Sequence, residues 1–151
     1  MISLRYTTYV FDLDGTLLDT LNDLHAAVSH AFTLQGLPVP HRDDVRRCLG
    51  NGYARLLRDL TSYGEHDPRT HTLLHEFQSY YECHLADLTA PYEGILPLLH
   101  TLRERGAKAG IVSNKGHEAV QQLAHRFFDG LVDVAVGKVR RYAESLALMR
   151  C

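Results

Sequence analysis

The segment that most constrains this chain is Tyr9-Val10-Phe11-Asp12-Leu13-Asp14-Gly15-Thr16, where an apolar run ends abruptly on two acids, a glycine and a threonine. Aromatic and β-branched residues before a glycine breaker predict a buried strand followed by a turn. Asp12 and Asp14 stand two apart, so on a straight strand both carboxylates project to one side. Two like charges held that close repel, and keeping both ionised calls for a cation such as Mg²⁺. Asp-Gly is also a common turn pair, so the motif needs support from the rest of the chain.

That support lies about 100 residues on. Gly94 opens a stretch that reads as helix from Ile95 to Arg105, stopped by Gly106, then a strand from Ala107 to Val112. A helix over Gly116–His125 and a third apolar strand over Leu131–Val136 follow. Strands alternating with helices predict a parallel α/β sheet. Ligands bind such sheets beyond the carboxyl ends of the strands. Ser113, Asn114 and Lys115 follow the second strand as the two acids follow the first, and sequential strands are usually neighbours. Ser113 and Asn114 precede a helix, where hydroxyl, amide and backbone N–H groups either cap the helix or hold an anion. A carboxylate nucleophile, a second carboxylate for proton transfer, a metal and an anion cradle together describe phosphoryl transfer.

Between these two parts the sequence reads as helix only. Thr20 and Asp23 have capping-box spacing before a face of Leu21, Leu24, Val28, Ala31 and Phe32, and Gly36 with Pro38 ends that helix. Shorter helices are predicted from His41 to Cys48 and around Tyr53–Leu60. A longer one runs from Asp67-Pro68 to about Leu88, with Leu74, Phe77, Tyr81 and Leu85 inward. His71 and His75 share a helical face, but without a third ligand that face reads as solvated. Arg46, Arg47, Arg55 and Arg58 offer cations to an anionic substrate, and Arg55 is the strongest candidate of the four.

Composition closes off other classes. Forty-five per cent hydrophobic and 23% charged residues in 151 fit a globular chain with a core. A formal charge of -2 advertises no nucleic-acid partner. No apolar run approaches the roughly 20 residues that span a bilayer, and the N-terminus has no secretory pattern. Three distant cysteines, Cys48, Cys83 and Cys151, read as reduced thiols of a cytoplasmic protein.

With the motifs in place, Phe11-Asp12-Leu13-Asp14-Gly15-Thr16-Leu17-Leu18-Asp19-Thr20 resembles the first motif of the haloacid dehalogenase (HAD) superfamily. Ile111-Val112-Ser113-Asn114-Lys115 resembles the second motif, and the helical insertion resembles a C1 cap. Leu49-Gly50-Asn51-Gly52 and Pro91-Tyr92-Glu93-Gly94 are most similar to phosphoglycolate phosphatases. The resemblance implies a three-layer parallel-sheet α/β core over residues 1–17 and 90–151, incomplete at the C-terminus, with a cap over residues 18–89. It implies a Mg²⁺-dependent phosphatase of a small phosphorylated metabolite. Asp12 would attack phosphorus and Asp14 would transfer protons, while both contribute to the metal site. Ser113, Asn114, Thr16 and Lys115 would bind phosphate. Arg55 is the cap residue expected to meet substrate.

Where the chain departs from the family, expectations change. After Gly137 there is neither a Lys-Pro pair nor an acidic Gly-Asp motif, and Glu144 stands in the wrong context to replace one. Lys115 or Lys138 is left to supply positive charge, and no further metal ligand can be nominated. Absent or weak catalysis is therefore expected, because both missing elements neutralise transition-state charge. A non-catalytic fold that binds a ligand or partner is the alternative. A receiver-like phospho-acceptor is disfavoured by the large insertion after strand one. The lost acidic strand would also leave strand one as an exposed, apolar edge, which predicts pairing with another chain as a homodimer, strand exchange or poor solubility.

Overall fold

In the computed structural model, which describes residues 4–64 and 66–139, the apolar run becomes strand β1, Thr8–Phe11. It is followed by β2 (Leu18–Asp19), α1 (Leu21–Leu34), α2 (Arg42–Arg47), α3 (Tyr53–Asp59), α4 (Pro68–Cys83) and β3 (Ala90–Pro91). Then come α5 (Ile95–Glu104), β4 (Lys108–Gly116), α6 (His117–Phe128) and β5 (Val134–Lys138). These elements divide into a sheet unit, residues 4–19 with 90–139, and a helical unit within residues 20–89.

In the sheet unit, β1, β4 and β5 form one parallel sheet in the order β1-β4-β5. Phe11 pairs with Ile111, and Ile111 with Ala135. Helices α5 and α6 pack on it, and Leu99, Leu102, Ile111, Val120, Leu123 and Phe128 are buried there. The other parity of the strands is open, with Val10 64%, Val112 56% and Val134 55% exposed. The expected parallel α/β core with a helical insertion is thus present, and among the described residues helices cover one face of the sheet. Within the described residues β1 pairs only with β4, so its other edge carries no strand. An additional two-stranded antiparallel ladder, Leu18 with Pro91 and Asp19 with Ala90, joins the segments on either side of the insertion.

Two strand boundaries differ from expectation. β4 runs on to Gly116, through the polar residues expected to form a loop, and β5 starts at Val134. Gly137 explains the extension. A Cβ there would lie 2.6 Å from the Lys115 carbonyl oxygen and 2.8 Å from the His117 Cα. Only glycine lets β5 approach the end of β4 this closely.

In the helical unit α1 packs on α4 and α2, and α3 packs on α4. Leu24, Val28, Ala31 and Phe32 of α1 are buried, as are Leu56, Leu57, Leu73, Phe77 and Tyr81. The core-facing residue of α4 is Leu73 rather than Leu74, and the helix ends at Cys83 rather than near Leu88. Asp67 caps its start, accepting from the Arg69 N–H at 2.9 Å. Thr20 makes no side-chain cap. Asp23, read as the acid of a capping box, instead accepts from the backbone N–H of Leu88 and Thr89 and from the Thr89 hydroxyl.

Cys48 is a free thiol, as expected, whereas Cys83 is disulfide-bonded, against the expectation of reduced cysteines. Among the described residues no helix is long and apolar enough to cross a membrane. Glu144 and the helix-like run Ala143–Arg150 lie outside the described residues.

Candidate active site

The site is built on a tight turn that follows β1. The Leu13 carbonyl accepts from the backbone N–H groups of Leu17 at 3.0 Å and Leu18 at 3.1 Å, while the Gly15 N–H donates to the Leu18 carbonyl at 2.9 Å. Gly15 sits at φ +74°, a left-handed conformation that a side chain would strain. The chain therefore reverses within one turn, and Asp12, Asp14 and Thr16 stay beside the carboxyl end of β1. Leu13 and Leu17, fully buried between them, anchor the loop to the core.

The acids differ in surroundings. Asp12 is exposed, and one of its carboxylate oxygens accepts from the Leu13 N–H at 2.8 Å. Asp14 has a side chain 24% exposed, against 0% for that of Lys115, whose Nζ donates to the two Asp14 oxygens at 2.9 and 3.2 Å. Lys115 lies 101 residues away in sequence and reaches Asp14 from the end of β4. The first and second polar clusters are thereby joined by a side-chain ion pair.

Ser113 is half-buried one position before the exposed Asn114, and its Oγ accepts from the Lys115 N–H at 3.3 Å. Thr16 is exposed, and its N–H donates to the Leu13 carbonyl at 3.3 Å. Lys138, the other cation considered, is exposed at the end of β5. Arg55 belongs to the helical unit, where its Nε donates to both Asp59 oxygens at 2.8 and 2.9 Å. His71 and His75 are both exposed.

Reading the sequence missed the residue that seats the second cluster. Gly137 has its N–H donated to His117 Nδ1 at 3.2 Å, and its bare Cα accommodates the Lys115 carbonyl. Its signal was a glycine ending an apolar strand, a pattern that marks close backbone approach.

The donors present meet only part of what Mg²⁺ requires. Among the described residues no three His, Cys, Asp or Glu side chains gather into a group able to hold a metal. The Asp14 carboxylate is already taken up by an ammonium, leaving the Asp12 carboxylate and main-chain carbonyls. Mg²⁺ demands six oxygens in near-ideal octahedral geometry, and these residues do not complete that shell.

The helical unit holds a cleft of about 420 Å³ lined by Pro40, His41, Asp44, Arg47, Cys48 and Asp59 among others. Burial and the nearby Asp59 and Asp44 carboxylates push the Cys48 thiol up from its usual range.

Comparison with known proteins agrees with the geometry of the sheet unit. Residues 9–140 match the model of the haloacid dehalogenase-like hydrolase family. An N-acetylmuramic acid 6-phosphate phosphatase of Pseudomonas aeruginosa is 33% identical over 83% of this chain and 56% of its own length. A phosphoglycolate phosphatase of Caulobacter vibrioides is 36% identical over 74% of this chain and 48% of its own. The chain thus spans about half the length of these curated relatives. A crystal structure from Lactobacillus delbrueckii, of a protein provisionally described as a phosphoglycolate phosphatase, superposes with a TM-score of 0.82 at 31% identity. That match covers 91% of this chain and 68% of the other. A family match over most of the chain, two relatives above 30% identity and one fold in common place this chain in the haloacid dehalogenase-like hydrolase family.

Proposed function

We propose that the sheet unit is a phosphomonoester hydrolase site of the phosphoglycolate phosphatase type. The observation that carries this reading is the Asp14–Lys115 pair, which brings the acidic cluster and the Ser113-Asn114-Lys115 cluster together. Asp12, exposed beside it, is the nucleophile. Its carboxylate oxygen bonds to phosphorus as the ester P–O bond breaks, and the leaving oxygen takes a proton from Asp14. Water then attacks phosphorus and gives a proton to Asp14, so phosphate leaves and the Asp12 carboxylate is restored. Ser113, Asn114 and Thr16 hold the phosphoryl oxygens, and Lys115 adds positive charge beside them.

The substrate is a small phosphorylated metabolite, and Arg55 is proposed to meet its anionic end. Mg²⁺ is the cofactor this reading names, with Asp12 and Asp14 as its protein contacts. Since those residues alone do not complete a site, no step is assigned to the ion. Localisation in the cytoplasm goes with the same reading.

The test is release of phosphate from 2-phosphoglycolate and p-nitrophenyl phosphate in the presence of Mg²⁺. Slow release abolished by Asp12→Asn supports the proposal, and no release from either substrate overturns it. A phospho-Asp12 that forms from acetyl phosphate and persists would point instead to a phospho-acceptor.

Among the described residues one edge of β1 carries no strand, and this with the exposed Val10 supports a homodimer formed along that edge. Val10→Lys should abolish concentration-dependent association in light scattering. A wild type that stays monomeric at high concentration would refute the dimer.

A further inference from the structure

We propose that Lys115 is a positioning residue for Asp14, and that it sets the rate at which the phosphorylated Asp12 is hydrolysed. This rests on the reading of Asp12 and Asp14 given above.

The arrangement is directional. Lys115 has a completely buried side chain, so its stem is fixed by packing and its ammonium cannot swing out to solvent. Its Nζ lies 2.9 and 3.2 Å from the two Asp14 oxygens. Its backbone lies in an irregular stretch of β4, between the pairs Val112–Val136 and Gly116–Lys138. Gly137 admits the Lys115 carbonyl where any side chain would collide. Asp14, by contrast, stands on a turn between Leu13 and Gly15, with a side chain 24% exposed. The buried partner therefore orients the part-exposed one.

A carboxylate gripped by an ammonium through both oxygens is oriented as a proton acceptor. That is the role Asp14 plays in the second half of the reaction, when water attacks the phosphorylated Asp12. With p-nitrophenyl phosphate the leaving nitrophenolate departs without a proton, so Asp14 stays the ionised partner of Lys115 through the first half and is free to take the proton of the attacking water in the second. Loss of Lys115 should accordingly slow breakdown of the intermediate much more than its formation.

Stopped-flow measurement of p-nitrophenyl phosphate hydrolysis separates the two halves in the full chain. Lys115→Met is expected to show a burst approaching one nitrophenolate per chain, with the following steady state about 100-fold slower than wild type. Intact mass should show phosphorylated protein accumulating during turnover. Lys115→Arg, which keeps the cation, should recover to within about 10-fold of wild type. Should Lys115→Met fail to fold, Lys115→Arg carries the test alone, through a smaller burst and a slower steady state. Loss of burst and steady state together, or a steady state within about 3-fold of wild type, would overturn the positioning role. A wild type that neither turns over nor becomes phosphorylated would overturn the hydrolase reading itself, and this proposal with it.

Discussion

Asp23 and Thr89 are bound twice: one carboxylate oxygen of Asp23 accepts from both the backbone N–H and the hydroxyl of Thr89, at 2.8 and 2.7 Å. The same carboxylate accepts from the Leu88 N–H at 3.0 Å. Asp23 is 2% and Thr89 7% exposed, so these groups cannot exchange partners with water. Asp23→Ala would strand two main-chain donors and a hydroxyl. A loss of about 2–4 kcal/mol is expected, read as an earlier urea midpoint. Asp23→Asn keeps one acceptor and should fall between the two.

This clamp shows what the sequence can and cannot reveal. Thr20 and Asp23 have the spacing of a capping box, and local spacing is all a sequence reading has. The true partners of Asp23 lie 65 and 66 residues on, where no periodicity points back to it. β1 was legible because its apolar run ends on a glycine that must turn. The continuation of β4 through Ser113-Asn114-Lys115 was not, because polar composition argues for a loop, whereas those residues run on as strand beside the close approach of Gly137. The ladder of Leu18–Asp19 with Ala90–Pro91 is two residues long, too short for any alternation to register. The candidate acids, by contrast, were readable from spacing and charge alone. That Lys115 is buried and bonded to Asp14 could come only from the packing.

The Asp14–Lys115 pair should respond asymmetrically to mutation. Asp14→Ala leaves an ammonium on a completely buried side chain, which is expected to cost about 3–5 kcal/mol. Lys115→Met leaves a carboxylate that water can still reach, with an expected cost of about 1–3 kcal/mol. The double variant removes both charges and should be more stable than Asp14→Ala alone. Urea unfolding of the four proteins checks this, and costs that simply add would show that the pair is not coupled.

Asp133 provides a pH-dependent link between β4 and β5. It accepts from the Ala109 N–H and from Lys108 Nζ, both at 2.9 Å. The Ala109 N–H first, and then the Lys108 ammonium, hold its carboxyl below the usual carboxylate range. A carboxyl lowered on folding stabilises the protein above its unfolded-state value, roughly pH 4, and that stabilisation is lost as pH falls through the folded-state value. Asp133→Asn should therefore be less stable than wild type at pH 7, and the two should converge as the pH drops below 4. Thermal unfolding across that range is the measurement. A constant gap between them at all pH values would show that the ionised form is not what stabilises.

Gly137→Ala tests how the end of the sheet is assembled. The added methyl would meet the Lys115 carbonyl oxygen at 2.6 Å, the His117 Cα at 2.8 Å and the Val120 Cγ2 at 2.8 Å. Two of these are backbone atoms of other elements, so relief requires β4 and β5 to part rather than a side chain to rotate. Overpacking of this kind costs about 1–3 kcal/mol or somewhat more. The displacement falls on Lys115, and through it on the orientation of Asp14, while Asp12 remains tied to Leu13 within β1's own turn. Gly137→Ala should consequently perturb the amide resonances of residues 113–117 strongly and those of the helical unit little. If turnover is measurable, its pre-steady-state behaviour should resemble that of Lys115→Met, with formation of the phosphorylated intermediate spared and its breakdown slowed. Unchanged resonances at Ser113–His117 would mean that the strands tolerate the methyl and that Gly137 does not seat Lys115.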